Sequence, residues 1–310
     1  MKYGISVIIP TYNEEAFIAK TIDAILYELG TTKIPHEIIV TDNCSTDNTE
    51  SIVTKLPAMY LRCEKKGNPS ATRNTGAQLA QYEFLCFIDG DCLVTPGWTN
   101  RIIQAFTDPD VAAFGGPALS PVNGNWIEKS WAPTALKPYT NEYSSLPGAN
   151  FCIRKSTFEK LHGFDENLIT AEDDDLSKRV INTGKKTIAT SLHPVIHLGY
   201  PKTLFDIYKK QIWHGSSQLK AHGLLGDKMV VMTILWSLSI VCLPIAFTIH
   251  ILLAAVCLLV FLSCPLLIAI KRTNMFDVPK IPLITKAYLI SFYFLAGRAI
   301  GMVKEARSRV

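Results

Sequence analysis

Two groups of closely spaced acidic residues in this 310-residue sequence could carry out chemistry. Asp89 and Asp91 stand on either side of one glycine, directly after the apolar run FLCFI. Carboxylates resist burial, so a pair at the end of a buried strand usually binds a cation. The second group, AEDDD (171–175), holds four consecutive carboxylates, one of which could act as a general base. The structural alternatives are a simple turn for the first group and an acidic helix start for the second.

An alternation of strand and helix patterns determines where the first pair lies. Continuously apolar runs predict buried strands at residues 5–10, 37–42, 58–63 and 84–89. The intervening segments predict helices over 14–29, 45–56 and 69–81, which begin after Asn13, at Ser45 or Thr46, and at Pro69. This order predicts an α/β fold with a mostly parallel sheet and helices on both faces. Ligands of such sheets bind beyond the carboxyl ends of the strands.

Further polar residues follow the ends of the predicted strands. The first two strand ends should be neighbours, and they offer Thr11, Asn13 and Asp42 as hydrogen-bonding groups suited to a planar base. The third predicted helix carries Arg73, a permanent cation suited to a diphosphate. Hard divalent cations take oxygen ligands and bridge to phosphates. A phosphate-bearing ligand would therefore explain the paired aspartates.

Five motifs, in this order, make the sequence resemble the family 2 glycosyltransferases of the A-type fold. They are SVIIPTYNEE, IIVTDNCSTDNT, NPSATRNTGA, FLCFIDGDC and HGFDENLITAEDDDLSKRV, and they extend over roughly residues 4–200. The resemblance implies a nucleotide-diphospho-sugar transferase sheet, a nucleotide-sugar donor (UDP-sugars favoured), Mn²⁺ or Mg²⁺, and inversion at the transferred sugar. The sequence departs from the family at Cys44, where the family often has glycine.

The resemblance also implies roles for individual residues. Those implied to bind the nucleotide-sugar are Pro10, Thr11, Asn13, Glu14, Asp42, Arg73 and Asp89. The implied metal ligands are Asp91, Asp89 and His197, with His193 a weaker candidate and a structural role possible for either histidine. Asp173 is the implied general base and Glu172 supports it, although three consecutive aspartates leave Asp175 open as the alternative.

The composition changes at Met229, and the 42 residues from Met229 to Ile270 contain no Asp, Glu, Lys or Arg. A membrane span takes about 20 apolar residues, so this stretch predicts two spans, 229–249 and 250–270, with a turn near His250. A third hydrophobic helix is predicted over 281–303. Whether it crosses the membrane stays open, because charged residues interrupt it. Aromatic and aliphatic residues alternate with lysines over 201–228, which predicts an interfacial amphipathic helix or an ordinary helix packed on the body.

These patterns predict a catalytic domain (1–200), an interface helix (201–228) and a membrane region (229–310). The region from Met229 onward has a net charge of +6 and the rest −2, which favours a membrane rather than nucleic acid as partner. We expect the catalytic domain in the cytoplasm, since no signal-peptide pattern opens the sequence and the basic segment 271–280 should lie inside. The eight cysteines form no CxxC pair, as expected for buried thiols in a reducing compartment.

The predicted function is that of a membrane-anchored inverting glycosyltransferase of the cell envelope, which adds one sugar to a lipid-linked acceptor. One alternative is a processive polysaccharide synthase, but of its Gln-x-x-Arg-Trp motif only Gln211 is matched, in QIWHG. Another is a catalytically silent membrane-anchored protein that binds nucleotide-sugars. Sugar-1-phosphate nucleotidyltransfer is disfavoured because PTYNEE lacks the glycine-rich basic loop that a triphosphate requires. The irregular segment 115–150 is the predicted acceptor-recognition region.

Overall fold

The computed structural model divides the chain into two compact units and describes residues 2–64, 67–216, 219, 223–224, 226–274 and 280–307. The first unit comprises residues 1–121 and 138–199, and the second comprises 122–137 and 200–310. Residues 122–137, which the sequence places within the catalytic domain, therefore belong to the second unit. The reason is apolar packing, because Ile127 joins a cluster with Ile207 and Ile290 of that unit.

The first unit is built on two sheets. Its strands are β1 (Lys2–Thr11), β2 (His36–Asp42), β3 (Met59–Arg62), β4 (Tyr82–Ile88), β5 (Cys92–Val94), β6 (Val111–Gly115), β7 (Ala118–Leu119), β8 (Thr140–Glu142), β9 (Asn150–Arg154), β10 (Lys186–Thr190) and β11 (Val195–His197). The eight-stranded sheet has the order β3-β2-β1-β4-β9-β6-β10-β8. Strands β1 to β4 pair in parallel, whereas β9 and β8 are antiparallel to their neighbours. The mostly parallel sheet is thus confirmed. Strands β5, β11 and β7 form a second, smaller sheet.

Helices cover both faces of the large sheet. Up to residue 199 the helices are α1 (Ile18–Gly30), α2 (Thr49–Val53), α3 (Pro69–Leu79), α4 (Trp98–Ala105), α5 (Trp126–Trp131, in the second unit), α6 (Lys155–Lys160) and α7 (Glu172–Asn182). Adjacent strand residues face opposite sides of the sheet. Accordingly, Val7 and Cys86 pack in the cluster that includes α1 and α4, while Ile8 and Leu85 pack in the cluster that includes α3, α6 and α7.

Two of the three predicted helix starts differ from the structure. Helix α1 begins at Ile18 because Asn13 takes a left-handed backbone (φ +58°) and its side chain accepts a hydrogen bond from Thr46 N. Helix α2 begins at Thr49, since Ser45 is hydrogen-bonded to the Asp42 carboxylate instead of starting a helix. Helix α3 begins at Pro69, as predicted.

The second unit is helical. Besides α5 it contains α8 (Leu204–Gly215), α9 (Lys228–Ile249), α10 (Ile251–Asn274) and α11 (Lys280–Arg307). The last three are long and apolar enough to cross a membrane. His250, at the position where the sequence predicts a turn, separates α9 from α10 with an extended backbone. Helix α8 forms within the predicted amphipathic segment; residues 217, 218, 220–222 and 225 of that segment lie outside the described residues.

Candidate active site

The Asp-Gly-Asp sequence is a turn between β4 and β5. Asp89 follows β4, and its carbonyl accepts a hydrogen bond from Cys92 N at 3.0 Å. The end of β1 lies close to the glycine: a methyl group at Gly90 would stand 3.1 Å from side-chain atoms of Thr11 and Glu14, which would have to shift slightly. This turn directs both aspartates to the carboxyl end of the sheet, where ligands of such folds bind.

The smaller sheet brings His197 to the second of these aspartates. Strand β11 pairs antiparallel with β5 so that His197 lies opposite Cys92, and His197 Nδ1 is 3.4 Å from Asp91 Oδ2. Ligand atoms of Asp91, Cys92 and His197 all lie within 4.8 Å of one another. A carboxylate and an imidazole suit Mn²⁺, whereas the thiol is a softer ligand. These side chains therefore fit the metal that the sequence predicts, with Asp91 and His197 as the favoured pair.

Arg73 connects the metal motif to the second acidic group. Its Nη2 donates to Asp89 Oδ1 and its Nη1 to Glu172 Oε1, each at 2.7 Å. The guanidinium is buried, which opposes its charge, but the two carboxylates outweigh burial and raise the pKa of Arg73 above its usual value. Asp89 keeps 29% of its side chain exposed, and its second oxygen has no hydrogen-bond partner among the described residues. That oxygen is thus available to a ligand.

Asp173 lies at the start of α7 and its carboxylate is held at both oxygens. Oδ2 accepts from Gly148 N at 2.7 Å and Oδ1 accepts from Asp174 N at 2.8 Å. Desolvation, and next the negative charge of Glu172, raise the pKa of Asp173 to about 7, although the two backbone donors and Arg73 act in the opposite direction. A carboxylate with a pKa near neutrality can accept a proton effectively at physiological pH.

The neighbouring aspartates of α7 have other partners. Asp175 Oδ2 accepts from Arg179 Nε at 2.8 Å, and the same arginine donates to the carbonyl of Gly163. Asp175 therefore orients Arg179, which fastens α7 to the loop before it, and this is a structural role. Asp174 accepts a short hydrogen bond from the Ser145 hydroxyl. Of the three consecutive aspartates, Asp173 therefore has the environment that best suits a base.

The ends of β1 and β2 are neighbours, with Thr11 in register with Asp42. Asp42 is fully buried, and its two oxygens accept hydrogen bonds from four donors: Ser45 N, Ser45 Oγ, Tyr60 Oη and Arg62 Nη1. The carboxylate thus organises the ends of β2 and β3. The predicted contact between Asp42 and a nucleotide base stays a prediction. Arg62 is 44% exposed, so it presents a cation at this end of the sheet.

The PTYNEE segment forms a tight connection after β1. Thr11 is buried and donates to Thr41 O at 3.3 Å, and the backbone N–H groups of Asn13 and Glu14 donate to the hydroxyls of Ser45 and Thr49. Pro10 is the penultimate residue of β1. These contacts keep the segment beside Asp42, where the sequence expects the nucleotide.

Two other positions have a structural explanation. Cys44 has a left-handed backbone (φ +62°), a conformation that glycine adopts most easily, which fits the glycine that the resemblance implies at this position. His193 is fully buried, its ring packs against Trp98 and Phe114, and burial lowers its pKa well below the usual value. His193 is therefore a neutral core residue.

The sequence does not indicate three contributors to this site. Gly148 N donates a hydrogen bond to Asp173, Cys92 lies beside Asp91 and His197, and Tyr60 Oη donates a hydrogen bond to Asp42. The first is a backbone group in an irregular segment, which no residue pattern marks. The other two lie at strand ends and could have been noticed only once the strand order was known.

Comparisons with known proteins agree with this geometry. The model of the family "Glycosyl transferase family 2" matches residues 6–161, and that of "Glycosyl transferase family group 2" matches residues 84–271. The glycosyltransferase AglE of Haloferax volcanii is 28% identical over 226 residues, which are 70% of this chain and 73% of that protein. The pre-mycofactocin glycosyltransferase of Mycobacterium tuberculosis is 25% identical over 194 residues, 58% of this chain but only 41% of that protein.

Among solved structures, the mannosyltransferase PcManGT from Pyrobaculum calidifontis, in complex with GDP-Man and Mn²⁺, superposes with a TM-score of 0.63 at 19% identity, over 100% of this chain and 89% of that one. At this identity the likeness concerns the fold. The two family models each match more than half of the chain, and together they include β1 to β11 almost entirely. The chain therefore belongs to glycosyl transferase family 2 and is a glycosyltransferase that takes its sugar from a nucleotide-sugar.

Proposed function

We propose that this protein is a membrane-anchored enzyme that transfers one sugar from a nucleoside-diphosphate sugar to a lipid-linked acceptor, with Asp173 as general base. The observation that supports this most strongly is the environment of Asp173. Its pKa is raised to about 7, and both oxygens are oriented by backbone donors. A structural aspartate at a helix start would instead have its pKa lowered.

The chemistry is a single displacement at the anomeric carbon. Asp173 accepts the proton of the acceptor hydroxyl as the acceptor oxygen forms its bond to that carbon. The bond to the nucleoside diphosphate breaks at the same time, and its electron pair leaves on the diphosphate oxygen. Attack from the face opposite the leaving group inverts the anomeric centre.

The diphosphate gains one further negative charge as the bond to the anomeric carbon breaks, and cationic groups must offset this charge. A divalent metal bound by Asp91 and His197, with Asp89 as a further ligand, would supply Lewis-acid stabilisation of the diphosphate. Arg73 holds Asp89 on one side and Glu172 on the other. We infer that this arginine keeps the metal motif and the base in fixed positions relative to each other.

A lipid-linked acceptor is supported by the helical unit. Helices α9 to α11 are long and apolar enough to span a membrane, and many of their large side chains are exposed. An acceptor that resides in the membrane would be concentrated beside an enzyme anchored there. We propose that the catalytic unit lies on the cytoplasmic side, where nucleotide-sugars are made.

Addition of one sugar is favoured over polymer synthesis because of Gln211. This is the one residue of the processive motif that the sequence retains, and it is buried and accepts a hydrogen bond from Arg298 Nε at 3.0 Å. It is therefore used in helix packing within the second unit. The motif's arginine and tryptophan are replaced by His214 and Gly215.

A screen of the purified full-length protein tests this function. UDP-, GDP- and other nucleotide-sugars are offered with Mn²⁺ and a membrane lipid extract, and the release of nucleoside diphosphate and the transfer of label to lipid are measured. We expect transfer with one donor class, its loss with EDTA and its return with Mn²⁺ or Mg²⁺. Full transfer in EDTA would exclude the metal assignment, and no turnover with any donor would support the silent binding protein.

A further inference from the structure

A thiol lies beside the two favoured metal ligands of the active site. Cys92 is the first residue of β5 and pairs with His197 across the smaller sheet. It is fully buried, and its Sγ donates to Asp91 Oδ1 at 3.7 Å. Sulfur, nitrogen and oxygen atoms from three side chains are thus brought within 4.8 Å of one another. We call Asp91, Cys92 and His197 the mixed ligand set.

The separations within the mixed ligand set match a small tetrahedral cation. Zinc binds oxygen and nitrogen at about 2.0–2.2 Å and sulfur at about 2.3 Å, so two ligand atoms of a tetrahedral zinc ion are about 3.3–3.7 Å apart. Here His197 Nδ1 is 3.4 Å from Asp91 Oδ2, and Cys92 Sγ is 3.7 Å from Asp91 Oδ1. Small side-chain rotations would therefore place all three side chains around one ion.

The backbone after β11 fixes the position of Asp91. The N–H of Leu198 donates to the Asp91 carbonyl at 2.8 Å. A methyl group at Gly199 would overlap Asp91 Oδ2, so the carboxylate occupies space that a side chain at position 199 would take. A carboxylate that is already held in place loses less freedom when an ion binds, which favours binding.

The sulfur changes which cations this site prefers. A thiolate favours zinc and similar soft or borderline cations, whereas Mg²⁺ and Mn²⁺ prefer oxygen ligands. A site that includes the thiolate also carries one negative charge more than the same site without it. The bound ion then stabilises the departing diphosphate less. Zinc in the mixed ligand set should therefore bind tightly and support transfer poorly.

We propose that Asp91, Cys92 and His197 bind Zn²⁺ and other thiophilic divalent cations, which displace the catalytic Mn²⁺ or Mg²⁺ and thereby inhibit transfer. The thiol loses its proton to solvent as its sulfur binds the cation. This inference rests on the metal site of the proposed function. It adds a sulfur ligand to that site and a class of cation that inhibits the enzyme.

Cobalt binding to the full-length protein in detergent, with no sugar donor present, tests for the sulfur ligand. Co²⁺ reveals a bound thiolate through a sulfur-to-cobalt charge-transfer band in the near ultraviolet. We expect this band in the wild type and in C63S, and its loss in C92S. Cys63 is the matched control because it is a partly buried free thiol of the same unit, outside the mixed ligand set.

Metal affinities give a second measurement. Competition with a chromophoric chelator should show that C92S weakens Zn²⁺ binding at least about tenfold, whereas C63S changes it by less than about twofold. The affinity for Mn²⁺, measured from the electron paramagnetic resonance signal of the free ion, should change by less than about threefold in C92S, since a hard cation gains little from sulfur. Equimolar Zn²⁺ should release Mn²⁺ from the wild type.

Four results would overturn the proposal: no charge-transfer band in the wild type, the same band in C92S, an unchanged zinc affinity in C92S, or full transfer with Zn²⁺ in place of Mn²⁺. If C92S does not fold, X-ray absorption at the zinc edge of the wild type decides. A sulfur atom at about 2.3 Å supports the proposal, and nitrogen and oxygen ligands alone overturn it. The binding measurements contain no donor, so their failure leaves the proposed transferase activity untouched.

Discussion

At the scale of the residue, Asp173 joins a raised pKa to a fixed orientation, and its titration should control the rate. Only the ionised carboxylate accepts a proton, and its pKa is about 7. We therefore expect kcat/KM to fall about tenfold for each pH unit below that value and to level off above it. Initial rates between pH 5 and 9 with saturating metal would show this. A plateau that continues down to pH 5 would contradict the assignment.

Substitution of the same residue separates catalysis from stability. D173N should lower kcat by about 10²–10⁴-fold and leave donor affinity nearly unchanged. In the folded protein burial disfavours the charged form, so stability falls as the pH rises from the usual value of 3.8 to about 7. D173N should therefore melt at a higher temperature than the wild type at pH 8, an advantage that disappears near pH 4. If D175N were inactive and D173N active, Asp175 would be the base.

Cys44 supplies a test of backbone strain. A left-handed conformation, as at Cys44, costs a non-glycine residue about 1–2 kcal/mol. Glycine removes this cost but gives the unfolded chain more conformational entropy, which offsets part of the gain in stability. C44G should raise the free energy of unfolding by up to about 1 kcal/mol in urea titrations. C44A is the matched control, because it keeps the strained Cβ and removes only the thiol contact with Cys63 O. Equal stability of C44G and C44A would show that strain is not the cause.

The site residues differ in how far the sequence could predict them. Asp89, Asp91 and Arg73 follow from motifs at predicted strand and helix ends, and the structure pairs Arg73 with Asp89 and His197 with Asp91. The donors to Asp42 could not be predicted, since Tyr60 and Arg62 reach it only through the pairing of β2 with β3. These contacts join residues distant in sequence through backbone geometry that no local pattern encodes.

At the scale of the element, continuous apolar runs were a reliable guide to strands and a poor guide to helix starts. The runs match β1 to β4, and β1, β2 and β4 are largely buried as predicted. The prediction of burial is wrong for β3, which is an edge strand with none of its residues buried. Helix α1 starts later than its pattern because the polar residues before it are used in hydrogen bonds to the 45–49 turn. The short helix α5 belongs to the second unit because it packs there, and the sequence of α5 alone does not predict this packing.

Helix α8 packs directly on α11, backbone against backbone. A methyl group at Gly301 would overlap the carbonyl oxygen of Ile212, and one at Gly297 would overlap that of Tyr208. G301A should therefore force the helices apart and reduce stability by about 1–3 kcal/mol. The same substitution at Gly30, which has open space beside the end of α1, should be neutral or slightly stabilising. Thermal unfolding in detergent distinguishes the two; equal melting temperatures would contradict close packing at Gly301.

At the scale of the whole molecule, the charges are divided between an acidic first unit and a basic helical unit. Basic residues near membrane spans mark the cytoplasmic side. Lys271 and Arg272 end α10, and Lys304 and Arg307 end α11. Both helix ends are thus expected on the same side of the membrane, although a third full span would place them on opposite sides.

The contact between α8 and α11 leads to the same topology. Their pairing runs in parallel: Tyr208 lies at Gly297, Ile212 at Gly301, and Leu219 N donates to Glu305 at 2.9 Å. Among the described residues the candidate spans begin at Lys228, and we expect α8, which comes before them in sequence, at the cytoplasmic face of the membrane. The last turns of α11 contact α8 and must lie on that side too. We therefore predict that helix α11 lies along the interface or re-enters, and that α9 and α10 form a membrane hairpin.

Reporter fusions in a bacterial host test this arrangement. Alkaline phosphatase, which is active only in the periplasm, should be inactive when fused after Val310 and active when inserted at His250, in the turn between α9 and α10. A green fluorescent protein fused after Val310 should give the reciprocal, bright signal. The His250 fusion controls for membrane insertion of the hairpin. Strong phosphatase activity from the C-terminal fusion would show that α11 crosses the membrane, and the packing of α8 on α11 would then have to form within the bilayer.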